Sequence, residues 1–221
     1  MAFTDIQGFA IDLDGVIADT AKFHGQAWHQ VADKVGTKWT EELADSLRGV
    51  SRMDSLELIL KAGGHENDYT QEEKEKLAKE KNDNYLELVK TLTPNDILPG
   101  MKKFLDDAKS KGYHLALASA SKNGPTILKY LELEDYFEGR VDPAKLKKGK
   151  PDPEIYLQAA EIMNLTPEHV AGIEDAQSGV DSINRAGEIS IGIGDSLKNA
   201  DVKFDDTDKL TLDALAKNLN K

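Results

Sequence analysis

The sequence has no cysteine among its 221 residues. Disulfide frameworks and thiolate catalysis are therefore excluded, and a cytoplasmic location is the expectation. Long apolar runs are also missing, so no segment is expected to span a bilayer, and the N-terminal residues lack the apolar core of a signal peptide. Internal repeats and low-complexity segments are absent too, and a folded globular protein is expected.

Positive charge is scarce, because 28 basic residues face 40 acidic ones and leave a net charge of −12. Nucleic acid and anionic membranes are not expected as partners, since both require a basic surface. A local basic pocket can still bind a small anion on an acidic protein. Nothing in the sequence suggests an obligate subunit interface, and a monomer is the expectation.

The first part of the chain reads as one strand followed only by helices. An apolar run over residues 9–13 predicts a buried strand that stops at a turn. Apolar spacing then predicts a helix that ends at Gly36, a second that is capped by Ser51 and stops at Gly63, and a third that opens with a capping box at Thr70.

After about residue 94 strands and helices alternate. Strands are predicted at 114–118, around Val141, at 170–173 and at 189–193. Helices are predicted from 101 to Gly112, from Pro125 in the first helical position, from 152 to about 164 and at 179–186. This alternation predicts an α/β protein with a parallel sheet covered on both faces. An all-helical domain over 18–94 would be inserted into a core made of 1–17 and 95–221.

Chemically active side chains follow the predicted strands. In an open parallel sheet, ligands bind beyond the carboxyl ends of the strands. The residues at those positions are Asp12, Asp14, Ser119, Ala120, Ser121, Lys150, Glu174 and Asp175. The topology therefore predicts one site that holds four carboxylates, a hydroxyl group, backbone amides and a lysine.

Four carboxylates in one place repel one another unless a cation lies between them. Oxygen ligands without sulfur or imidazole select Mg²⁺ or Ca²⁺. An EF-hand calcium loop does not fit, because Val16 and Phe23 occupy positions where acids are needed. Lys150 and Ser119 add groups that can hold a phosphoryl group, so the pattern favours metal-assisted phosphoryl transfer.

Lys81 lies on the apolar stripe of the third predicted helix, four residues from both Leu77 and Tyr85. Two interpretations are open. Its stem packs while the ammonium group reaches water, or the ammonium group points into a cleft to meet an anion.

Residues 12–20, Ser119, Lys150 and Glu174-Asp175 resemble the four motifs of the haloacid dehalogenase-like superfamily, in order and over essentially the whole chain. Residues 49–52, 81–85 and 119–124, with His24 and Trp28, resemble the bacterial β-phosphoglucomutases within it. The resemblance implies a Rossmann-like parallel-sheet core with an inserted all-helical cap domain that closes over it. It also implies a cis peptide bond at Lys150-Pro151.

The resemblance implies a role for each motif residue. Asp12 would be the nucleophile and Asp14 the general acid and base. Asp12, Glu174, Asp175 and the carbonyl group of Asp14 would hold Mg²⁺. The expected phosphate- and substrate-binding residues are Thr20, His24, Trp28, Gly49, Val50, Ser51, Arg52, Lys81, Asn82, Ser119, Ala120, Ser121, Lys122, Asn123 and Lys150. Among them, Ser119 and Lys150 would hold the transferring phosphoryl group, and Arg52 and Lys81 the other phosphate.

The implied reaction converts β-glucose 1-phosphate to glucose 6-phosphate through an aspartyl phosphate and β-glucose 1,6-bisphosphate, so sugar phosphates are the expected partners. A sugar-phosphate phosphatase on the same scaffold is the alternative, in which water takes the phosphoryl group from Asp12. A dehalogenase would leave Asp14 without a role, the context of Lys22 does not resemble phosphonate hydrolases, and a non-catalytic sensor would not need both aspartates.

Overall fold

The computed structural model describes residues 3–220. The chain separates into two compact units, one made of the chain up to Asp19 together with the chain from Thr93 onward, the other made of Thr20–Leu92. The boundaries predicted from the sequence differ from these by two residues at each crossing. No helix within residues 3–220 has the length and apolar character needed to cross a membrane.

The larger unit contains a six-stranded sheet in which all strand pairs are parallel. The strands are β1 (Gly8–Ile11), β2 (His114–Leu117), β3 (Gly139–Arg140), β4 (Val170–Glu174), β5 (Ile189–Ile193) and β6 (Val202–Phe204), in the spatial order β3-β2-β1-β4-β5-β6. The predicted Rossmann-like parallel sheet is confirmed. Since β1 lies between β2 and β4, three strand ends that carry motif residues are direct neighbours.

The helices are α1 (Ala21–Val35), α2 (Glu41–Ser46), α3 (Arg52–Gly63), α4 (Gln71–Val89), α5 (Met101–Ser110), α6 (Gly124–Tyr130), α7 (Glu154–Ile162), α8 (Gln177–Ala186) and α9 (Leu212–Leu219). The first four make up the smaller unit, whose core includes Trp28, Val31, Leu56 and Ile59. The predicted capping box at Thr70 is present, and Gly36 ends α1 at a positive φ of 77°.

Several predicted boundaries were wrong, and three short elements were not predicted. Val141 lies just after β3, although its N–H still bonds to the carbonyl group of Leu117. Gly124, not Pro125, is the first residue of α6. The apolar signal of α2, β6 and α9 was too short to predict these elements, which have only six, three and eight residues.

The sheet brings β4 and α8 into close contact. A Cβ atom at Gly172 of β4 would lie 2.5 Å from Cγ1 of Ile183, so glycine is needed for this approach. Every residue of β1, β4 and β5 is buried. Helices therefore cover both faces of the sheet, and the polar groups at its carboxyl edge extend from a rigid core.

Glu188 is a buried carboxyl group directly before β5. It is 4% exposed, and neither of its carboxylate oxygens has a hydrogen-bond partner. Burial raises its pKa well above the ordinary value, because a charge without a partner loses its solvation. The folded chain therefore holds this proton more tightly than the unfolded chain does.

We expect Glu188→Gln to stabilise the protein increasingly as the pH rises above the ordinary carboxyl pKa. At lower pH the group is protonated in both states and adds no cost. Above it the free energy of unfolding of the unsubstituted protein falls, by at most about 1.4 kcal/mol per pH unit for one proton, until the folded-state pKa is passed. Urea unfolding from pH 5 to 8 measures the divergence. The exposed Glu161→Gln is the control, and parallel curves for both variants would contradict the expectation.

Candidate active site

The carboxyl ends of neighbouring strands bring the core-unit residues together. Asp12 follows β1 directly and its N–H bonds to the carbonyl group of Ile173 in β4, at 3.1 Å. Ser119 follows β2, and Glu174 is the last residue of β4 itself. Lys150 comes from the loop between β3 and α7, and its peptide bond to Pro151 is cis, as predicted.

Three carboxylates form one cluster at this edge. Oxygen atoms of Asp12, Glu174 and Asp175 all lie within 4.8 Å of one another. Gly15 makes the close approach of Asp175 possible, since a Cβ atom there would lie 2.1 Å from Oδ2 of Asp175 and φ is +82°. The side chain of Asp14 lies outside this cluster and is partly exposed.

Lys150 connects two members of the cluster. Its Nζ donates a hydrogen bond of 2.7 Å to Oδ1 of Asp12 and another to Oε1 of Glu174. All three side chains are almost completely buried. The ammonium group therefore replaces water as the partner of both carboxylates, which a buried charge requires.

The acid–base properties of these groups follow from burial and mutual proximity. Burial raises the pKa of Asp12 well above its ordinary value; Lys150 acts against this rise, and the neighbouring carboxylates add to it. Burial alone would lower the pKa of Lys150, but Asp12 and Glu174 outweigh it and raise that pKa. One lysine thus faces several acids, and negative charge remains in excess.

The donor set fits a divalent cation. It offers only carboxylate oxygens, which are the ligands that hard cations prefer. A cation between the three carboxylates would offset their mutual repulsion and favour their ionised forms. No sulfur or imidazole group belongs to the cluster, which argues against softer metals.

The loop after β2 provides polar groups beside the acidic cluster. Ser119 is buried, and its hydroxyl oxygen accepts a hydrogen bond of 3.1 Å from the N–H of Ser121. The N–H of Asn123 in turn bonds to the hydroxyl oxygen of Ser121, at 3.3 Å. Ala120 is partly buried and Lys122 exposed. The hydroxyl groups of Ser119 and Ser121 thus stabilise the conformation of this loop by accepting hydrogen bonds from its backbone.

A second group of predicted residues gathers within the helical unit. Lys81 is 2% exposed, so the interpretation in which its ammonium group reaches water is wrong. Its Nζ lies 2.7 Å from Nδ1 of His24, 5.0 Å from the ring centre of Trp28 and 4.7 Å from that of Tyr85. Two aromatic faces and an imidazole therefore surround this cation.

His24 is neutral in this setting. Burial lowers its pKa well below the ordinary value, and the positive charges of Lys81 and Arg52 lower it further. An ammonium group can only donate, so Nδ1 of His24 accepts and the proton of the neutral ring is on Nε2. The positive charge of the pair belongs to Lys81.

Arg52 opens α3 and joins the same group of residues. Its Nη2 donates a 2.6 Å hydrogen bond to Oδ1 of Asn82, the neighbour of Lys81. Ser51 caps α3 by accepting from the N–H of Asp54, and the chain turns at Gly49 with φ of +69°. Val50 lies between them, and Thr20 is buried just before α1. The helical unit thus contains Arg52, the buried Lys81 and a helix N-terminus, which are groups of the kind that bind an anion.

Tyr156 belongs to this site but was not predicted from the sequence. Its hydroxyl group donates a 3.0 Å hydrogen bond to Oε1 of Glu174, and the side chain is completely buried. In the sequence Tyr156 is one more apolar position on α7, six residues beyond Lys150. No spacing rule indicates that its hydroxyl group ends at the acidic cluster.

Comparison with known proteins identifies one matching family and several similar proteins. The model of the haloacid dehalogenase-like hydrolase family matches residues 6–187. β-Phosphoglucomutase of Bacillus subtilis is 42% identical over 92% of this chain and 91% of its own length. A phosphorylated carbohydrates phosphatase of Thermotoga maritima is 34% identical over 82% of each chain.

Solved structures include one that is similar over nearly the whole chain. The crystal structure of β-phosphoglucomutase from Clostridium difficile superimposes with a TM-score of 0.94, covers 97% of both chains and is 42% identical in sequence. The similarity therefore includes the sheet, the helical unit and their order along the chain.

We expect Lys150→Ala to destabilise the metal-free protein by about 3–5 kcal/mol, because two buried carboxylates lose their shared cation. Urea unfolding at neutral pH with EDTA measures this loss. The control is Lys148→Ala, whose side chain is 76% exposed, for which a change within about 0.5 kcal/mol is expected. Similar small changes for both variants would show that Lys150 does not compensate these carboxylates.

Proposed function

The chain belongs to the haloacid dehalogenase-like hydrolase family, and we propose that within it the chain is a β-phosphoglucomutase, an isomerase that interconverts β-D-glucose 1-phosphate and D-glucose 6-phosphate. Full-length similarity to β-phosphoglucomutases, at 42% identity in both the sequence and the structure comparison, carries this proposal. The phosphatase relative is less similar and covers less of the chain.

The proposed reaction begins at Asp12. One of its carboxylate oxygens attacks phosphorus, a P–O bond to Asp12 forms, and the bond from phosphorus to the sugar oxygen breaks. Asp14 donates a proton to the leaving sugar oxygen, and later removes one from the hydroxyl group that attacks the aspartyl phosphate. The partial exposure of Asp14, two residues beyond the buried Asp12, suits a group that exchanges protons with substrate.

Several groups would hold the transferring phosphoryl group. Lys150 lies against Asp12, the neighbouring carboxylates keep its ammonium group charged, and the hydroxyl group of Ser119 lies in the adjacent loop. Both can offset the negative charge that spreads over the phosphoryl oxygens during transfer.

We assign the metal as Mg²⁺, held by Asp12, Glu174, Asp175 and the carbonyl oxygen of Asp14. The all-oxygen donor set and the phosphoryl substrate support this assignment. When bound, Mg²⁺ would neutralise charge on the carboxylates and on the phosphoryl oxygens. The roles of Lys150 and Ser119 then concern orientation as well as charge.

A second anion site distinguishes the mutase proposal from simple hydrolysis. The bisphosphate that links the two sugar phosphates carries a phosphate at each end, so one end reacts while the other must be bound elsewhere. Arg52 and Lys81, with Asn82 and the N-terminus of α3, form a cationic group of that kind within the helical unit. We propose that this group binds the non-transferring phosphate and that Thr20, His24 and Trp28 support it.

The mutase proposal is tested by which product forms. Purified protein with Mg²⁺, β-glucose 1-phosphate and a trace of glucose 1,6-bisphosphate is expected to form glucose 6-phosphate with little free phosphate. Coupled oxidation of glucose 6-phosphate and a colorimetric phosphate assay measure the two products in one sample. Free phosphate as the main product would instead support the phosphatase.

The control for this assay is Asp12→Asn, which removes the proposed nucleophile and should abolish both products. Normal turnover in this variant would overturn the assignment of Asp12, whichever product is formed.

Arg52→Ala should reduce mutase turnover about 10- to 100-fold, because a charged hydrogen bond to the second phosphate is lost. Hydrolysis of the phosphorylated enzyme by water, which needs no second phosphate, should change by no more than about threefold. Arg48→Ala is the matched control, since this arginine is exposed and pairs with Asp45. Equal losses of mutase turnover and hydrolysis in Arg52→Ala would remove the case for the second anion site.

A further inference from the structure

Four hydrogen bonds hold the carboxylate of Glu174. Oε2 accepts hydrogen bonds from the N–H groups of Asp175 and Ala176, both at 3.1 Å. Oε1 accepts one from Lys150 and one from the hydroxyl group of Tyr156. Gly179 of α8 lies directly against the group, and a Cβ atom there would come within 1.9 Å of Cδ of Glu174. Glu174 therefore has one well-defined orientation.

Tyr156 contributes to this orientation in two ways. Its hydroxyl group donates the hydrogen bond, and Oε1 of Glu174 accepts it. Its ring lies 5.4 Å from Nζ of Lys150, so the same side chain also contacts the cation that holds Oε1. The side chain extends from α7 and is completely buried. Its position is set by the packing of that helix against β1, β2 and β3.

We propose that Tyr156 is a positioning residue for the metal site. Its hydroxyl group orients Oε1 of Glu174, so that the carboxylate is presented to the cation together with Asp12 and Asp175. This inference rests on the metal site in the proposed function. Groups that hydrogen-bond to metal ligands set the ligand orientation, and their loss typically weakens metal binding by about 10- to 100-fold.

A substitution can separate the effect of the Tyr156 hydroxyl group from the effect of the packing of its ring. Tyr156→Phe keeps the aromatic volume between α7 and the sheet and removes only the hydrogen bond to Glu174. Tyr136→Phe is a matched control, because its hydroxyl group also donates to a carboxylate, Oδ1 of Asp106 at 2.6 Å, far from the acidic cluster in the sequence and at the protein surface. Both variants lose a hydrogen bond from a phenol to an acid, and Tyr136→Phe also loses the 2.6 Å hydrogen bond that its hydroxyl group accepts from Nζ of Lys102.

The experiment measures the binding of Mg²⁺ alone. Each protein is stripped with EDTA, exchanged into metal-free buffer and titrated with magnesium chloride by calorimetry, without any sugar phosphate. Tyr156→Phe is expected to raise the dissociation constant for Mg²⁺ by about tenfold. Tyr136→Phe and the unsubstituted protein should agree within about twofold.

A kinetic measurement separates positioning from catalysis. The Mg²⁺ concentration that gives half-maximal turnover should rise in Tyr156→Phe by the same factor as the dissociation constant. At saturating Mg²⁺ the value of kcat should return to within about threefold of the unsubstituted protein. A lower kcat at saturating Mg²⁺ with unchanged affinity would overturn the proposal, because it would place the effect of the hydroxyl group elsewhere.

The outcomes also separate this inference from the proposed function. Equal dissociation constants in Tyr156→Phe and the unsubstituted protein would overturn the role of Tyr156 alone. Absence of Mg²⁺ binding by the unsubstituted protein would overturn the metal site and this role together. Weaker binding in Tyr156→Phe alongside release of free phosphate as the main product would support the role of Tyr156 while overturning the mutase.

Discussion

The buried ion pairs of Lys150 with Asp12 and Glu174 are the constraint on which the core unit depends. A single buried charge without a partner is unfavourable in the interior. The ends of β1 and β4 and the loop before α7 must therefore bring Asp12, Glu174 and Lys150 together. The parallel pairing of β1 with β4 meets this requirement, since it places Ile11 opposite Ile173 and brings the two carboxylates to one edge. A shift in strand register would separate the charges, so the energetic cost of unpaired charge also favours the observed register.

The excess of negative charge around Lys150 connects this constraint to function. One ammonium group cannot balance Asp12, Glu174, Asp175 and the nearby Asp14, and the remaining charge forms a site suited to a divalent cation and a phosphoryl group. Glycine at positions 15 and 179 allows the carboxylates to approach closely, because any side chain there would displace them. The arrangement that makes the core costly to assemble is thus the same one that provides the chemistry.

The helical unit also contains a buried charge, the ammonium group of Lys81, which is surrounded by different groups. This ammonium group contacts a neutral imidazole and two aromatic rings. The helical spacing of Leu77, Lys81 and Tyr85 was sufficient to predict that this lysine faces inward, but not which groups meet it. His24 is 57 residues away in the sequence, and such pairing depends on how α1 packs against α4.

The sequence by itself determined the class of fold, the helical insertion and the strand ends that carry Asp12, Ser119 and Glu174, because caps, apolar spacing and strand–turn boundaries are local properties. Only the tertiary structure decided that β6 and α9 complete the core unit, that Lys81 binds His24 and that the hydroxyl group of Tyr156 reaches Glu174. Those contacts join side chains that are distant in the sequence. Their formation depends on helix packing and side-chain rotamers, which leave no periodic signal in the order of the residues.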